Sequence, residues 1–315
     1  MLKAAWQAAR RGWGWTGFLA GVAAGTALTV LAIQIVVPQL AGTGWEPGEL
    51  VILSGKDEST GGQRDQLIGR WNAMGGGRPR ARLEIVDGDT NRQRAEMVKR
   101  AQGDGVRVDI YNLDVILMEE FRRFKYIRRL DDHLVTDRGS FLRNPLRTCE
   151  DSSGKLWALP FNTDAGLLYY RDDLTGPAAT LNSLPALGAA IGKVLDSGAS
   201  LSAGYAGQLK EYEGLTVNAL EAIWAAGGQV VDGNGNVVID SPQARDGLKW
   251  LAAGLRLGKP QIILPESRGF DERNTAEAFA AGQIAFMRNW PVWHNWLKER
   301  VTFSFSVAPS RGRVS

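Results

Sequence analysis

Residues Gly154 to Leu174 read GKLWALPFNTDAGLLYYRDDL. The stretch reads as a turn, an apolar strand, a carboxylate at that strand's end, and a second apolar strand over Gly166–Arg171. Asp164 interrupts two runs that would otherwise be core. A carboxylate flanked by Pro160, Phe161, Leu167 and Tyr169 is costly to bury unless something hydrogen-bonds to it. Two readings fit. Asp164 caps a turn at a strand end, or it points into a cleft and holds a polar ligand.

On the N-terminal side, strand and helix alternate. Glu49–Leu53 reads as a strand ending at Ser54-Gly55. Gly61–Met74 reads as a helix with Leu67, Ile68 and Trp71 on one face, closed by Gly75-Gly76-Gly77. Ala81–Val86 alternates as a strand, Asn91–Ala101 is an amphipathic helix, Val108–Leu113 a strand and Val115–Phe124 a helix. This order predicts an α/β lobe around a largely parallel sheet. Downstream, helices are expected over Leu184–Leu195, Thr216–Ala226 and Thr275–Ala281. Another starts at Ser241-Pro242, with Ser as N-cap and Pro in the first turn. Strands are expected over Ala203–Gln208, Ile284–Met287 and Phe303–Val307, and a hairpin turns at Asp232-Gly233-Asn234-Gly235-Asn236. The chain has no internal repeat.

The 315 residues suffice for two domains or one large one, and 44% apolar with 23% charged residues is an ordinary globular balance. Without Lys3, Arg10 and Arg11, the 37 Lys and Arg fall to 34, matching the 34 Asp and Glu. The globular part is therefore neutral and lacks the basic excess of a nucleic-acid binder. One cysteine, Cys149, excludes an internal disulfide framework, and with two histidines it argues against a zinc site. Gly17–Val37 carries no charge and is long enough to span a bilayer as a helix. Lys3, Arg10 and Arg11 precede it and predict a cytoplasmic N-terminus. Trp13 and Trp15 sit where interfacial aromatics belong. A signal anchor is the preferred reading over a cleaved signal peptide with a site near Ala41-Gly42.

Several side chains stand where ligands collect. Asp57-Glu58 follow the first strand at the C-terminal edge of the predicted sheet, or form a solvated loop pair. Asp114 follows the Val108–Leu113 strand as a ligand group or a plain helix N-cap. Glu213 precedes a helix, as a ligand group or for helix N-terminal electrostatics. Trp290 follows a strand, with Trp293 and Trp296 at helical spacing behind it. A Trp stripe at that spacing is usually core, so Trp290 is assigned to the ligand and the other two to packing.

Seven segments resemble, in the same order, the extracellular solute-binding proteins of sugar ABC importers, above all the trehalose/maltose-binding branch. They are Gly154–Leu174 itself, LVILSGKDEST (Leu50–Thr60), DTNRQRAEMVKRAQ (Asp89–Gln102), DIYNLDVILMEEFRRFKYIRRLDD (Asp109–Asp132), YEGLTVNALEAIWAAGGQVVD (Tyr212–Asp232), SPQARDGLKWL (Ser241–Leu251) and AEAFAAGQIAFMRNWP (Ala276–Pro291). The collinear order, rather than any single motif, carries the resemblance, which covers Gly48–Pro309. It implies an α/β, two-lobed periplasmic-binding-protein (type II) fold behind an N-terminal transmembrane helix. The segments would be a basic cytoplasmic N-terminus (1–16), a transmembrane signal anchor (17–37) and a linker (38–47). A first lobe (48–160), a second lobe (161–302) and the start of a return strand (303–315) would follow. In the family about a hundred further residues complete such a two-lobed protein, so the C-terminal part of the fold is expected to be missing. The lipid-anchoring Cys of many bacterial members is absent.

The resemblance further implies that a sugar binds between the lobes and meets Glu58, Asp114, Asn162, Asp164, Glu213 and Trp290. Arg94 is preferred over Arg92 where relatives carry a ligand arginine. Carboxylates accept hydrogen bonds from sugar hydroxyls, and an aromatic plane covers the C–H faces. Val292 stands where relatives often place a second aromatic, so that contact would be altered. No catalysis, cofactor or metal is implied. The implied partners are an oligosaccharide (an α-linked disaccharide such as trehalose or maltose), the permease subunits of an ABC transporter, and the membrane, with the globular part extracytoplasmic. The alternatives are a membrane-anchored sugar-sensing module and a truncated paralogue that no longer binds.

Other motifs fall away. Asp232, Asn234, Asn236 and Asp240 space like a calcium loop, but Val237 replaces its glycine and no Glu closes it. No Walker loop, Gly-x-Ser-x-Gly elbow or HExxH motif is present. No carboxylate is marked out as the acid of a glycosidase pair. The basic face Arg122, Arg123, Lys125, Arg128, Arg129 reads as solvated surface, or as a contact for lipid head groups or a partner.

Overall fold

The structure is a computed structural model and describes residues 48–59, 61–176, 181 and 183–309. The expected anchor at 17–37, the linker at 38–47 and the tail 310–315 lie outside the described residues. Among the described residues no helix is long and apolar enough to cross a membrane.

The chain divides into two compact units. One contains, among the described residues, 48–50 and Leu67–Arg82. Within it, the Trp71 indole N–H donates to the Pro79 carbonyl at 2.9 Å, and Asn72 clasps both backbone groups of Ala81 at 2.9 and 2.7 Å. The chain reverses at Gly75, Gly76 and Gly77, with φ of 59°, 75° and 73°, a region that favours residues without Cβ.

The other unit comprises Val51–Gln66 and Leu83–Ser315. The part of the chain before Asp164 carries β1 (Leu50–Gly55), α1 (Gln63–Ala73), β2 (Ala81–Val86), α2 (Thr90–Ala101), β3 (Ile110–Tyr111), a 3₁₀ turn (Val115–Leu117), α3 (Met118–Arg123) and α4 (Arg143–Thr148). The strands order β2-β1-β3, with β1 and β3 parallel. Leu53, Val86, Met97, Leu117 and Phe121 form the core of this lobe. Tyr111 and Tyr126 meet the Phe121 ring edge-on at 5.7 and 5.4 Å, a favoured aromatic geometry.

The second part follows Asp164. It comprises β4 (Leu167–Tyr170), α5 (Asp172–Thr175), α6 (Leu184–Asp196), β5 (Ala203–Ala206), α7 (Glu213–Ala225), α8 (Pro242–Gly254), α9 (Glu272–Ala280), β6 (Ile284–Asn289), α10 (Trp293–Lys298) and β7 (Ser306–Pro309). The sheet order is β5-β6-β4-β7, with β6 parallel to β5 and antiparallel to β4. Helices cover both faces. Leu168, Tyr170, Tyr205 and Phe286 pack with α6, α7 and α8, while Tyr169, Ala206 and Met287 pack with α9 and α10. The alternation of Leu168, Tyr169 and Tyr170 between these clusters is the two-residue period of a strand. All six residues of β6 are buried, as a central strand between helix layers requires. The two lobes are thus each a sheet covered by helices.

Four expectations need correction. The apolar stretch ahead of Asp164 is no strand: it makes one bridge, Leu156 to Glu150, and 158–166 has no regular structure. Pro160 has no N–H to offer a ladder. The Val108–Leu113 strand shrinks to two paired residues, although Asp109 N and Asn112 N still donate to Val51 O and Leu53 O at 2.9 Å. In α1 no residue is buried, and Leu67 is 46% exposed. The last strand starts at Ser306 because Phe303 and Phe305 leave the ladder to pack on Phe279 at 5.6 and 6.2 Å.

Candidate functional site

On the first lobe, the β1 end is locked by side chains. Arg64 donates to Ser54 Oγ and the Gly55 carbonyl at 2.9 and 2.6 Å, and Asn112 Nδ2 reaches the same Oγ at 3.0 Å. Asp57 accepts from the Ser59 and Arg64 backbone N–H groups at 2.9 Å. Burial pushes its pKa up, but those hydrogen bonds outweigh it and hold the carboxyl below its usual range. Asp57 is therefore a loop brace. Glu58 is left to project, 3.5 Å from Lys56 and 3.6 Å from Arg273 of α9 on the second lobe. Asp89 caps α2 and lies 3.5 Å from Lys210, a second ion pair across the lobes.

Asp114 caps the 3₁₀ turn, accepting from Ile116 N at 3.3 Å. Its surface is exposed, yet surrounding protein raises its pKa against the pull of the Ile116 and Val115 N–H groups. Arg94 is held elsewhere, with its guanidinium engaged by both oxygens of Glu120 on α3. Between Arg92 and Arg94 stands Gln93, whose side chain lies against Gly55 at the β1 end and donates to Gly88 O at 2.8 Å.

On the second lobe, α7 begins at Glu213, so this residue occupies the helix's first turn. Its carboxyl is pushed up to about 7 by burial first, then by the charges of Asp114 and Glu272, with Glu221 adding to them and Arg288 opposing. Trp290 leaves the end of β6 half-buried. Its indole N–H donates to Glu272 Oε1 at 3.2 Å, its carbonyl accepts from the Tyr169 hydroxyl at 2.8 Å, and Arg288 Cζ lies 3.7 Å from its ring centroid. Behind it, Trp293 and Trp296 pack edge-on at 5.3 Å, and Trp293 is buried. The Tyr212 hydroxyl is buried, and burial first, then the neighbouring Glu272 carboxylate, drives its pKa far up.

Asn162 and Asp164 sit exposed in the segment joining the lobes and make no hydrogen bond among the described residues. Two residues on, Gly166 lies directly on the Glu221–Arg288 ion pair, where a Cβ would overlap both side chains. Glu58 lies against Arg273 of α9, Asp114 and Glu213 lie within range of each other's charge, and Trp290 is bonded to Glu272 of α9, whereas Arg94 is held apart by Glu120 and nothing among the described residues ties Asn162 or Asp164 to the group. Sequence reasoning missed Glu272, Arg288, Tyr212 and Gln93. Arg288 carried a usable signal, a charged residue inside IAFMRN, a run that otherwise reads as a buried strand. No comparable signal marked Gln93. The Asp232 turn is the expected hairpin: its carboxylate accepts from Asn234 N and Asn236 N at 2.9 Å.

Comparison with known proteins agrees with this architecture. The profile of the bacterial extracellular solute-binding protein family matches residues 85–311. A probable ABC transporter-binding protein of Deinococcus radiodurans is 36% identical over 149 residues, which is 44% of this chain and 34% of that protein. The chain thus aligns with about a third of that relative's length. Maltose-bound MalE3 of T. maritima is 26% identical with a TM-score of 0.66, covering 83% of this chain and 67% of that one. A Thermotoga lettingae solute-binding protein bound to α-D-tagatose is 17% identical with a TM-score of 0.69, covering 85% and 69%, and shares the fold. The chain belongs to the bacterial extracellular solute-binding protein family.

Proposed function

We propose that this protein binds a sugar between its two lobes, outside the cytoplasm, and presents it to the permease of an ABC importer. The observation that carries the reading is the pairing of a fixed aromatic, Trp290, with carboxylates from both lobes: Asp114 and Glu58 on one, Glu213 and Glu272 on the other. Carboxylates take hydroxyl hydrogens with charge-assisted bonds, and the indole face covers the apolar side of a pyranose ring. Asn162 and Asp164 would close the site from the joining segment, with lobes near 48–160 and 161–302. Arg94 would join them only after releasing Glu120. The two cross-lobe ion pairs fit a hinge closure that buries the ligand. No bond is broken. An α-linked disaccharide such as maltose or trehalose is the favoured ligand, supported by the likeness to maltose-bound MalE3. The apolar stretch at 17–37 would tether the protein to the membrane.

The test is a thermal-shift screen of mono-, di- and oligosaccharides. A ligand held by the native state raises the melting temperature in proportion to the logarithm of its concentration. A shift with an α-linked disaccharide, absent with amino acids and peptides, is expected. A shift with peptides alone overturns the reading.

A further inference from the structure

Arg288 is the fifth of the six residues of β6 and is 2% exposed, the largest fully buried side chain among the described residues. A guanidinium in that position is costly unless its charge is matched and its N–H groups are placed. Both conditions are met by a fixed set of partners. Glu221 takes Nε and Nη2 at 3.1 and 2.6 Å, and Gln208 Oε1 takes Nη1 at 3.4 Å. Gln208 Nε2 returns a bond to the Arg288 carbonyl at 2.8 Å. Asn218 Nδ2 ties Gln208 Oε1 at 3.2 Å to the Gly214 carbonyl at 2.9 Å, beside Glu213.

One face of this guanidinium is spent on the Trp290 ring, 3.7 Å from its centroid, well inside the range of cation–π contact. The ring is thus held at an edge by Glu272 and on one face by Arg288. The backbone of Gly166, leading back to Asp164, lies over the same ion pair. On another side, Arg288, Glu221, Asn218, Tyr205 and Trp250 border a cavity of about 60 Å³. A guanidinium released from Glu221 would have space to move into, and the indole would lose its support.

We propose that Arg288 is a positioning residue for ligand binding: locked by Glu221 and Gln208, it is the fixed base on which Trp290 rests, and it sets the orientation in which the opposite ring face meets the sugar. The ligand half of this statement rests on the sugar-binding reading; the ring orientation does not.

The test uses the full chain. Arg288→Met alone strands the Glu221 charge, so the informative variant is Arg288→Met with Glu221→Gln, which removes both charges and keeps the volume. The Trp290 signature is read by subtracting the fluorescence and near-UV circular dichroism of the Trp290→Phe protein from each parent. The expected result is a folded variant with a changed Trp290 signature, greater acrylamide quenching, and about tenfold weaker binding of the sugar that the wild type holds. Adding Trp290→Ala to the pair should weaken binding no further than Trp290→Ala alone. An unchanged signature and affinity in the folded variant overturns the proposal, and so does a loss that adds fully to that of Trp290→Ala. Should the pair fail to fold, Arg288→Lys keeps the charge but loses the planar fork and the stack. It should show the same change of signature, and a wild-type signature would overturn the proposal. If the wild type binds no sugar, the function fails, while the signature still decides the role of Arg288.

Discussion

The two halves of the candidate site are built differently. On the second lobe, Trp290 and Glu213 stand on a buried network, Arg288–Glu221–Gln208–Asn218, inside a sheet covered on both faces. On the first lobe, Glu58 and Asp114 sit on exposed loop and cap positions, and Glu58 has only loose ion pairs at 3.5 and 3.6 Å. The difference assigns tasks. On the proposed reading, the second lobe would present a prepared surface and the first would bring adjustable carboxylates to it on closure.

Substitutions on the two halves should therefore differ in size. The largest effect is expected for Trp290→Ala, which should weaken sugar binding roughly 100-fold, or about 2.7 kcal/mol, measured by calorimetry with little change in melting. Gly166→Ala should follow. The added methyl must displace the Glu221–Arg288 pair, costing about 1–3 kcal/mol of stability, read by denaturant unfolding. An unaffected midpoint would mean that the network is soft and the contrast between the halves overstated.

Asp114→Asn should weaken binding roughly tenfold, the worth of one hydrogen bond to an ionised acceptor. Glu213 adds a pH signature. Its carboxyl titrates near 7 in the folded protein against an ordinary 4.5. The folded state therefore binds the extra proton, and ligand-free stability should fall as pH rises from about 4.5 to about 7. Binding should strengthen through the upper part of that window, because the ionised form accepts the hydroxyl hydrogen. Glu213→Gln should flatten both profiles; a flat wild-type profile would place Glu213 outside the cleft. The smallest effects belong to the exposed pairs. Arg273→Ala or Lys210→Ala should change affinity by less than about 1 kcal/mol and only at low salt.

Much of the fold was legible in the sequence because its elements carry their own punctuation. Ser241-Pro242 opens α8 with Ser241 Oγ accepting from Ala244 N at 3.3 Å, and the Asp232 turn makes its hairpin. The strand expected before Asp164 was not, because periodicity reports extended backbone whereas a ladder also needs a neighbour. Glu213 was placed before a helix rather than in it, since YEG offers no side-chain cap and the helix starts three residues earlier than its apolar pattern. Trp290 follows a strand, β6, whereas Trp293 and Trp296 lie in the helix α10, the difference that their spacing implies. Arg288 and Glu221 were out of reach as a pair: 67 residues separate them, and nothing local to either names the other.

The most direct test of the account is titration calorimetry of the purified protein with maltose, trehalose and their longer homologues, beside Trp290→Ala and Glu213→Gln. Micromolar binding of at least one of them is expected, greatly weakened by Trp290→Ala and made insensitive to pH by Glu213→Gln. A folded wild type that binds none, or that binds one with equal strength in both variants, would contradict it.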